Sequence, residues 1–364
     1  MLDRIIDAFA NGRKLDPEVR IVLRLAIYQL KYLDRIPAHA AVNDAVNLTI
    51  RAKKTSAKGL VNALLRKFQK SPPQIEFADD ADRLSVETSH PAWLIDRWTR
   101  QFGAQSAKAL ARFGNQQPDL EFRWTSRTTD ADRRSVAEQK GAANADFLRE
   151  LAENGKIYFQ DRGSQIVTDA LLLKDGETML DVCAAPGGKS TLAALRAAGM
   201  KLIVAGDISA ARISTLAANC RNQGASDIMI VRFDAVEGLP FADASFDVVF
   251  VDAPCSGTGT IRHNPEIRYS IKESDFERLA CKQRRMLENA SKLVRPGGRI
   301  VYATCSLELE ENEAVCADFL RGNPNFRVIP SGLPKELETL EGYSRTTPFR
   351  DALDGFFVAV FEKL

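Results

Sequence analysis

The sequence predicts a multidomain protein: an all-α bundle, a small α+β segment, then a Rossmann-like α/β domain with a mostly parallel sheet. Three observations predict this. At 364 residues the chain exceeds one ordinary hydrophobic core. Residues 1–70 carry helical periodicity and no strand signal. From about residue 159 short apolar runs alternate with helical stretches, the rhythm of a doubly wound sheet. The expected divisions are 1–70 for the bundle, 71–90 for a linker, 91–158 for the small α+β segment and 159–364 for the sheet domain.

Within the bundle, RIVLRLAIYQLKYL is apolar nearly all round and belongs at its centre. Pro37 starts a further helix through HAAVNDAVNLTIRAKK. In AKGLVNALLRKFQK, Leu60, Val61, Leu64, Leu65 and Phe68 share one face, with Lys58, Arg66, Lys67 and Lys70 on the other. SPPQ at 71–74 breaks that helix, and the polar run to His90 reads as a linker. Between 91 and 158, PAWLIDRWTRQF and DADRRSVAEQKG are helical and LEFRWTS is a strand. The sheet domain follows as TMLDVCA, KLIVAGDI, IMIVRFDA, FDVVFVDAP and GRIVYATC, with helices between them. GFFVAVFEKL closes the chain as a strand expected antiparallel at the sheet edge.

The composition narrows the function classes. A 45% hydrophobic, 27% charged chain is that of a globular protein. The N-terminus lacks the apolar stretch of a signal peptide, and no run of about 18 apolar residues occurs. A cytoplasmic protein without membrane attachment is expected. Six cysteines are scattered with no C-x-x-C pair, so neither a disulfide framework nor a bound metal is expected. Net charge is +2 overall, yet residues 1–70 hold 14 Lys+Arg against 6 Asp+Glu, and the remainder is net negative. A basic appendage beside an acidic body suits a polyanion partner.

Ligands of such sheets bind beyond the carboxyl ends of the strands. DVCAAPGGKS (181–190) turns the first sheet strand into its helix, and glycines there let backbone amides approach a ligand. A Walker loop would need glycine where Cys183 stands, and Gly-x-Gly-x-x-Gly is absent. Asp207 ends the second strand, placed for both ribose hydroxyls of an adenosine; Asp234 ends the third, placed for an adenine amino group. An adenosine cofactor without pyrophosphate points to S-adenosylmethionine.

Two cysteines end apolar runs, Cys255 in VDAPCSGTGT and Cys305 in YATCS. A thiol serves methyl transfer when the acceptor carbon is unreactive, as pyrimidine C5 is. Thiolate addition at C6 makes C5 nucleophilic, and the fraction of a free thiol that is ionised near neutrality is a strong nucleophile. Asp252, three residues before Cys255, can bond the ring N3. The residues alone leave open which cysteine attacks. Glu308, Glu310 and Glu311 follow Cys305, and nearby carboxylates oppose thiolate formation. They are expected to serve the first turn of the next helix, with Lys189 supporting the thiolate. Cys220, Cys281 and Cys316 sit in helical patterns and read as structural.

DVCAAPGGKS, DAPCSGTGTIRHNPEIRY, YATCSLELEENE and DGFFVAVFEK resemble, in order, the RsmB/Sun family of RNA cytosine-5 methyltransferases. The resemblance runs from about 160 to the C-terminus. It implies a class I S-adenosylmethionine methyltransferase domain, with Cys305 as nucleophile and Cys255 as the residue that assists release of the RNA. It implies Cys183, Ala184, Ala185, Pro186, Gly187, Gly188, Lys189, Asp207, Asp234 and Asp252 as cofactor contacts, Asp252 also meeting cytosine N3. RLAIYQLKYLDRIPAHAAVNDAV and KGLVNALLRKF resemble the latter part of a NusB-like RNA-binding domain, and FQDRGSQ the family's lead into its sheet. That domain ordinarily has further helices ahead of the position of Met1, so the bundle is expected to be incomplete at its start. The implied partner is RNA, most simply 16S rRNA, and not DNA; no obligate protein partner is implied, and a monomer is expected. The alternatives are a tRNA cytosine-5 methyltransferase and a non-catalytic NusB-like RNA-binding factor. Arg262, His263 and Arg268 follow the Pro-Cys motif and are candidates to meet RNA where the base enters.

Overall fold

The computed structural model describes all residues except 11, 139–144 and 198. The end of the DADRRSVAEQKG helix (139–141) and Ala198 of STLAALRAAG lie outside the described residues. The chain forms two compact units, Met1–Ala104 and Gln105–Leu364.

The first unit is helical among its described residues. Lys58–Lys70 buries the stripe that the periodicity singled out, with Val61 and Leu65 fully inside; Pro17–Tyr32 buries Leu23 and Ile27 but leaves Ile21, Leu25 and Tyr28 exposed, so it is not enclosed all round as expected. Its last part departs from the expected linker. Asp79 caps a helix over Asp80–Thr88 by accepting from the Asp82 N–H at 2.7 Å. The helix Ala92–Phe102 buries Leu94, Ile95 and Trp98, and Trp98 meets the His90 ring at 5.5 Å. Residues 71–104 therefore belong to the first compact unit, where the sequence suggested a linker and the start of an α+β segment. Sequence periodicity misses short polar helices whose stability comes from caps and packing.

The second unit holds two sheets. Strands β1 (Phe122–Trp124) and β2 (Ile157–Phe159) pair antiparallel. The main sheet comprises β3 (Thr178–Asp181), β4 (Leu202–Asp207), β5 (Met229–Arg232), β6 (Phe246–Asp252), β7 (Val294–Thr304), β8 (Phe326–Ile329), β9 (Ser344–Thr346) and β10 (Phe356–Lys363). Its order is β5-β4-β3-β6-β7-β10-β8, with β9 also on β10. The strands β5-β4-β3-β6-β7 run parallel. β10 is antiparallel as expected but lies inside the sheet, between β7 and β8, rather than at its edge. β8 and β9, four and three residues long, take the outer positions; runs that short give little alternation to read.

Both faces of the sheet are covered, which is why β3 and β6 read as continuous apolar runs rather than alternating ones. On one face Leu180, Val249 and Tyr302 pack against Ala280 and Leu287 of the helix Glu273–Leu293 and Phe319 of Glu313–Gly322. On the other, Met179, Val248 and Val301 meet Val167, Ala193 and Leu216 of three further helices. Phe361 of β10 is fully buried, with its ring 4.9 Å from that of Phe319. Phe361→Ala is expected to destabilise the second unit by about 3–5 kcal/mol; a urea titration followed by fluorescence measures it.

Candidate active site

The site grows from the register of the parallel strands. Asp181 of β3 lies level with Ala205 of β4 and Phe250 of β6, and Asp252 of β6 lies level with Ala303 of β7. The loops after β3, β4, β6 and β7 therefore open on one side. They enclose a cavity of about 810 Å³ lined by Cys183, Lys189, Asp207, Asp234, Asp252, Cys255 and Cys305. Ala185 lines it as well, and a smaller cavity of about 280 Å³ that shares Lys189 and Asp252 with it takes in Ala184, Pro186 and Gly188. Gly187 lines neither. It holds the turn, with φ at +108°, and a Cβ there would press on Leu216.

The strand-end acids are not equivalent. Asp181 is fully buried and accepts from Ser190 Oγ at 2.6 Å and the Cys183 N–H at 3.2 Å. Burial pushes its carboxyl up to about 7 despite those bonds. Asp207 accepts from the Ser209 N–H and faces Arg212 at 3.3 Å, and Arg212 also donates to the Ala185 carbonyl at 2.7 Å. The Asp234 carboxylate accepts from the Val236 N–H at 2.9 Å. Asp252 pairs through Oδ2 with Lys189 Nζ at 2.7 Å. Burial works against the Lys189 charge, but Asp252 outweighs it and holds the ammonium above its ordinary pKa, with Cys305 adding to the pull. The Cys183 thiol is driven well up, by burial first and then by the surrounding aspartates.

Cys255 and Cys305, fifty residues apart, meet with their sulfurs 3.2 Å apart. The Cys305 N–H donates to Cys255 Sγ at 3.3 Å. The Cys255 thiol is held well above its ordinary pKa, first by its bond with Cys305 and then by burial. It stays protonated beside the second sulfur. Gly259 fits where no side chain would: its N–H donates to the Cys305 carbonyl at 2.9 Å, its carbonyl accepts from Gly355, and a Cβ would collide with the Gly355 carbonyl.

Three expectations are corrected here. The side chains of Arg262 and Arg268 are largely enclosed rather than presented on an open loop, while His263 is exposed. Arg262 is 8% exposed, bridges Asp354 (2.6 Å) and Asp161 (3.2 Å) and lies over the Phe113 ring. His263 sits against the same two carboxylates at 3.3 and 3.5 Å. Arg268 is 6% exposed and donates to Asn115 Oδ1 and the Gly114 carbonyl. Glu311 does not serve the next helix: it is fully buried and turned back onto the cysteine loops, and Glu308 is fully buried too. Cys281 is exposed and lines the cavity, while Cys220 and Cys316 are buried.

Arg123 is a functional neighbour that sequence reading passed over. It reaches from β1 to the Gly188 carbonyl, Thr191 Oγ1 and Gln223 Oε1, holding the turn that carries Lys189. A basic residue in a short strand carries no signal of this before the fold brings the turn beside it.

A parallel sheet with this strand order, a glycine turn after its first strand and acids ending the next ones defines a Rossmann-like methyltransferase domain. Comparison with known proteins gives the particular family. Residues 168–362 match the model described as 16S rRNA methyltransferase RsmB/F, and residues 1–70 match the NusB family. The chain belongs to the RsmB/F methyltransferase family. It is 33% identical to "Probable ribosomal RNA small subunit methyltransferase B" of Bacillus subtilis over 100% of this chain and 87% of that protein. The crystal structure of PH0851 superposes with a TM-score of 0.84 at 28% identity, covering 100% of this chain and 86% of that one. NSun6 from Pyrococcus horikoshii, crystallised with SFG, gives a TM-score of 0.54 at 28% identity, over 59% of this chain and 55% of that one.

Two outcomes test this electrostatic picture. A raised carboxyl pKa stabilises the fold while the group is protonated, so the stability due to Asp181 is full below its ordinary value of 3.8 and is lost as pH rises through about 7. Asp181→Asn is therefore expected to flatten the fall in stability across that window, read by denaturation at a series of pH values. Lys189→Met is expected to move alkylation of the cavity thiols to higher pH; an unmoved curve would show that Lys189 does not support the thiolate.

Proposed function

We propose that this RNA methyltransferase forms 5-methylcytosine in 16S rRNA, using S-adenosylmethionine and a covalent bond between Cys305 and C6 of the base. The observation that carries the reading is the 3.2 Å approach of two thiols at the ends of adjacent strands, beside Asp252 and at the wall of one cavity. A small-molecule or binding role has no use for that pair.

The cavity fits the cofactor. Asp207, nearly all buried, lines it as an acceptor for ribose hydroxyls, and Asp234 lines it as well, with Cys183, Ala185 and Lys189 of the glycine turn. When bound, S-adenosylmethionine supplies the methyl group as an electrophile. The rest of the chemistry belongs to side chains of the chain. Cys305, as a thiolate, adds through sulfur to C6, which puts electron density on C5; C5 then takes the methyl group, and loss of the C5 proton to a base expels the Cys305 sulfur and restores the C5–C6 double bond. Lys189 holds Asp252 through Oδ2, leaving Oδ1 to accept from N3 as the ring takes a proton there during the addition. Cys255, kept as a neutral thiol against the Cys305 sulfur, serves the step in which Cys305 leaves and the RNA is released.

The basic segment 1–70 serves as the RNA-holding module in this reading. His39, Lys58, Arg66 and Lys70 line a groove of about 650 Å³ there, suited to a phosphate backbone. The working division is a holding module within Met1–Ala104 and a methyltransferase domain within Gln105–Leu364.

With a 16S rRNA transcript and S-adenosylmethionine, Cys255→Ala is expected to accumulate a protein–RNA adduct that survives denaturation. Cys305→Ala is expected to form no adduct and to transfer no methyl group. The reverse pattern would exchange the two roles. Absence of transfer by the unmodified protein on 16S rRNA, with transfer to a tRNA transcript, would move the substrate.

A further inference from the structure

We propose that Glu311 is the positioning residue of the thiol pair: its buried carboxylate ties the Cys255 loop to the Cys305 loop and sets the approach of the two sulfurs. The inference rests on the reading that both thiols act in one reaction.

The two cysteines stand on loops from different strands, and among the described residues no disulfide joins them. Each is followed by a serine, and both serines reach the same carboxylate. Ser256 donates its N–H to Glu311 Oε1 at 2.9 Å and its hydroxyl to Oε2 at 2.5 Å. The Ser306 hydroxyl donates to Oε2 at 2.6 Å. Gln283 donates through Nε2 to Oε1 and to the Pro254 carbonyl, both at 3.0 Å, so the helix Glu273–Leu293 holds the residue before Cys255 as well.

Ser256, Ser306, Gln283 and Glu311 are all buried, Glu311 completely. No lysine or arginine pairs with Glu311 among the described residues. A buried carboxylate without a cation is tolerable only when its lone pairs are filled, and four donors fill them here. A shift of either loop would strip a donor from a buried charge, so the charge resists any change in the spacing of the loops. The Glu311 backbone is itself pinned to β7. Tyr302 donates its hydroxyl to the Glu311 carbonyl at 2.5 Å. The neighbouring Asn312 accepts from Thr304 Oγ1 at 2.6 Å and donates to the Ser306 carbonyl at 2.9 Å.

The same carboxylate acts on charge. It stands behind Cys255 and adds to the forces that keep that thiol protonated, after the bond from Cys305 and burial. Geometry and charge separate in two variants. Glutamine keeps the side-chain shape: its oxygen can accept from Ser256 N–H and Gln283, and its NH₂ can donate to the two serine oxygens. Alanine removes both.

The thiol measurements use the full chain without RNA, and 16S rRNA enters only for the kcat comparison. Dibromobimane links two thiols only when they lie close together, and peptide mass spectrometry identifies the linked pair. Iodoacetamide labelling of Cys255 against pH reports its ionisation. With linking rates compared at equal Cys255 ionisation, read from its labelling curve, Glu311→Gln is expected to link Cys255 to Cys305 at the unmodified rate while that curve moves to lower pH. Glu311→Ala is expected to link the pair about tenfold more slowly and, on 16S rRNA, to lose about 100-fold in kcat with KM little changed, the scale of a misplaced reacting group. If Glu311→Ala fails to fold, Ser306→Ala removes one donor and leaves the charge; slower linking supports the proposal. Unchanged linking and labelling in a folded Glu311→Ala, or in Ser306→Ala where it stands in, would overturn it. Because these thiol measurements need no RNA, a failure of methyl transfer by the unmodified protein would count against the proposed function and not against Glu311.

Discussion

Everything at this site depends on two parallel strands ending side by side. β6 and β7 are neighbours in register, with Asp252 beside Ala303, so the loops that leave them start within reach of each other. The thiols of Cys255 and Cys305 face one another because of that pairing, although fifty residues separate them in the chain. The next neighbour, β10, is antiparallel on β7 and places Phe357 beside Thr304, which brings Gly355 against Gly259 and closes the cysteine loops from the other side. The sheet thus fixes where the sulfurs are, and the polar contacts among Ser256, Ser306 and Glu311 fix how they are held.

Burial then sorts groups of the same chemical type into different states. Asp181 is enclosed with no cation paired to it among the described residues, and burial pushes its carboxyl up to about 7, whereas Asp252 pairs directly with the Lys189 ammonium. Both sit at the ends of neighbouring strands. The difference is one of partners rather than of sequence position, and it divides the acids into a structural one beneath the glycine turn and one that faces the cavity. Among the thiols, Cys183 and Cys255 are both driven up, but only Cys255 has a second sulfur as its partner.

Several basic residues turn out to be scaffold. Arg262 bridges Asp161 and Asp354, joining the loop after β6 to the segment before β10. Arg268 holds the turn at Gly114 and Asn115, and Arg123 holds the turn at Gly188. A guanidinium offers five donors in a fixed plane, so one buried arginine can fasten several loop carbonyls and carboxylates at once. The groove on the first unit keeps its cations, Lys58, Arg66 and Lys70, at the surface instead.

The sequence by itself determined the alternation of strand and helix beyond residue 159, the glycine turn, the strand-end aspartates and the two cysteine motifs. These are local patterns, written in apolar periodicity and in residues whose chemistry is rare enough to notice. Only the tertiary structure decided how the motifs relate. The place of β10 inside the sheet, the helix over Asp80–Thr88 and the pairing of β1 with β2 rest on contacts between segments that carry weak local signals. Glu311 shows the limit most clearly. In sequence it is one of three acids after Cys305, suited to a helix terminus; in the fold it lies in the interior with four donors around it. A carboxylate has the same sequence signature whether it faces water or the core, and what it does is set by the groups that packing brings to it.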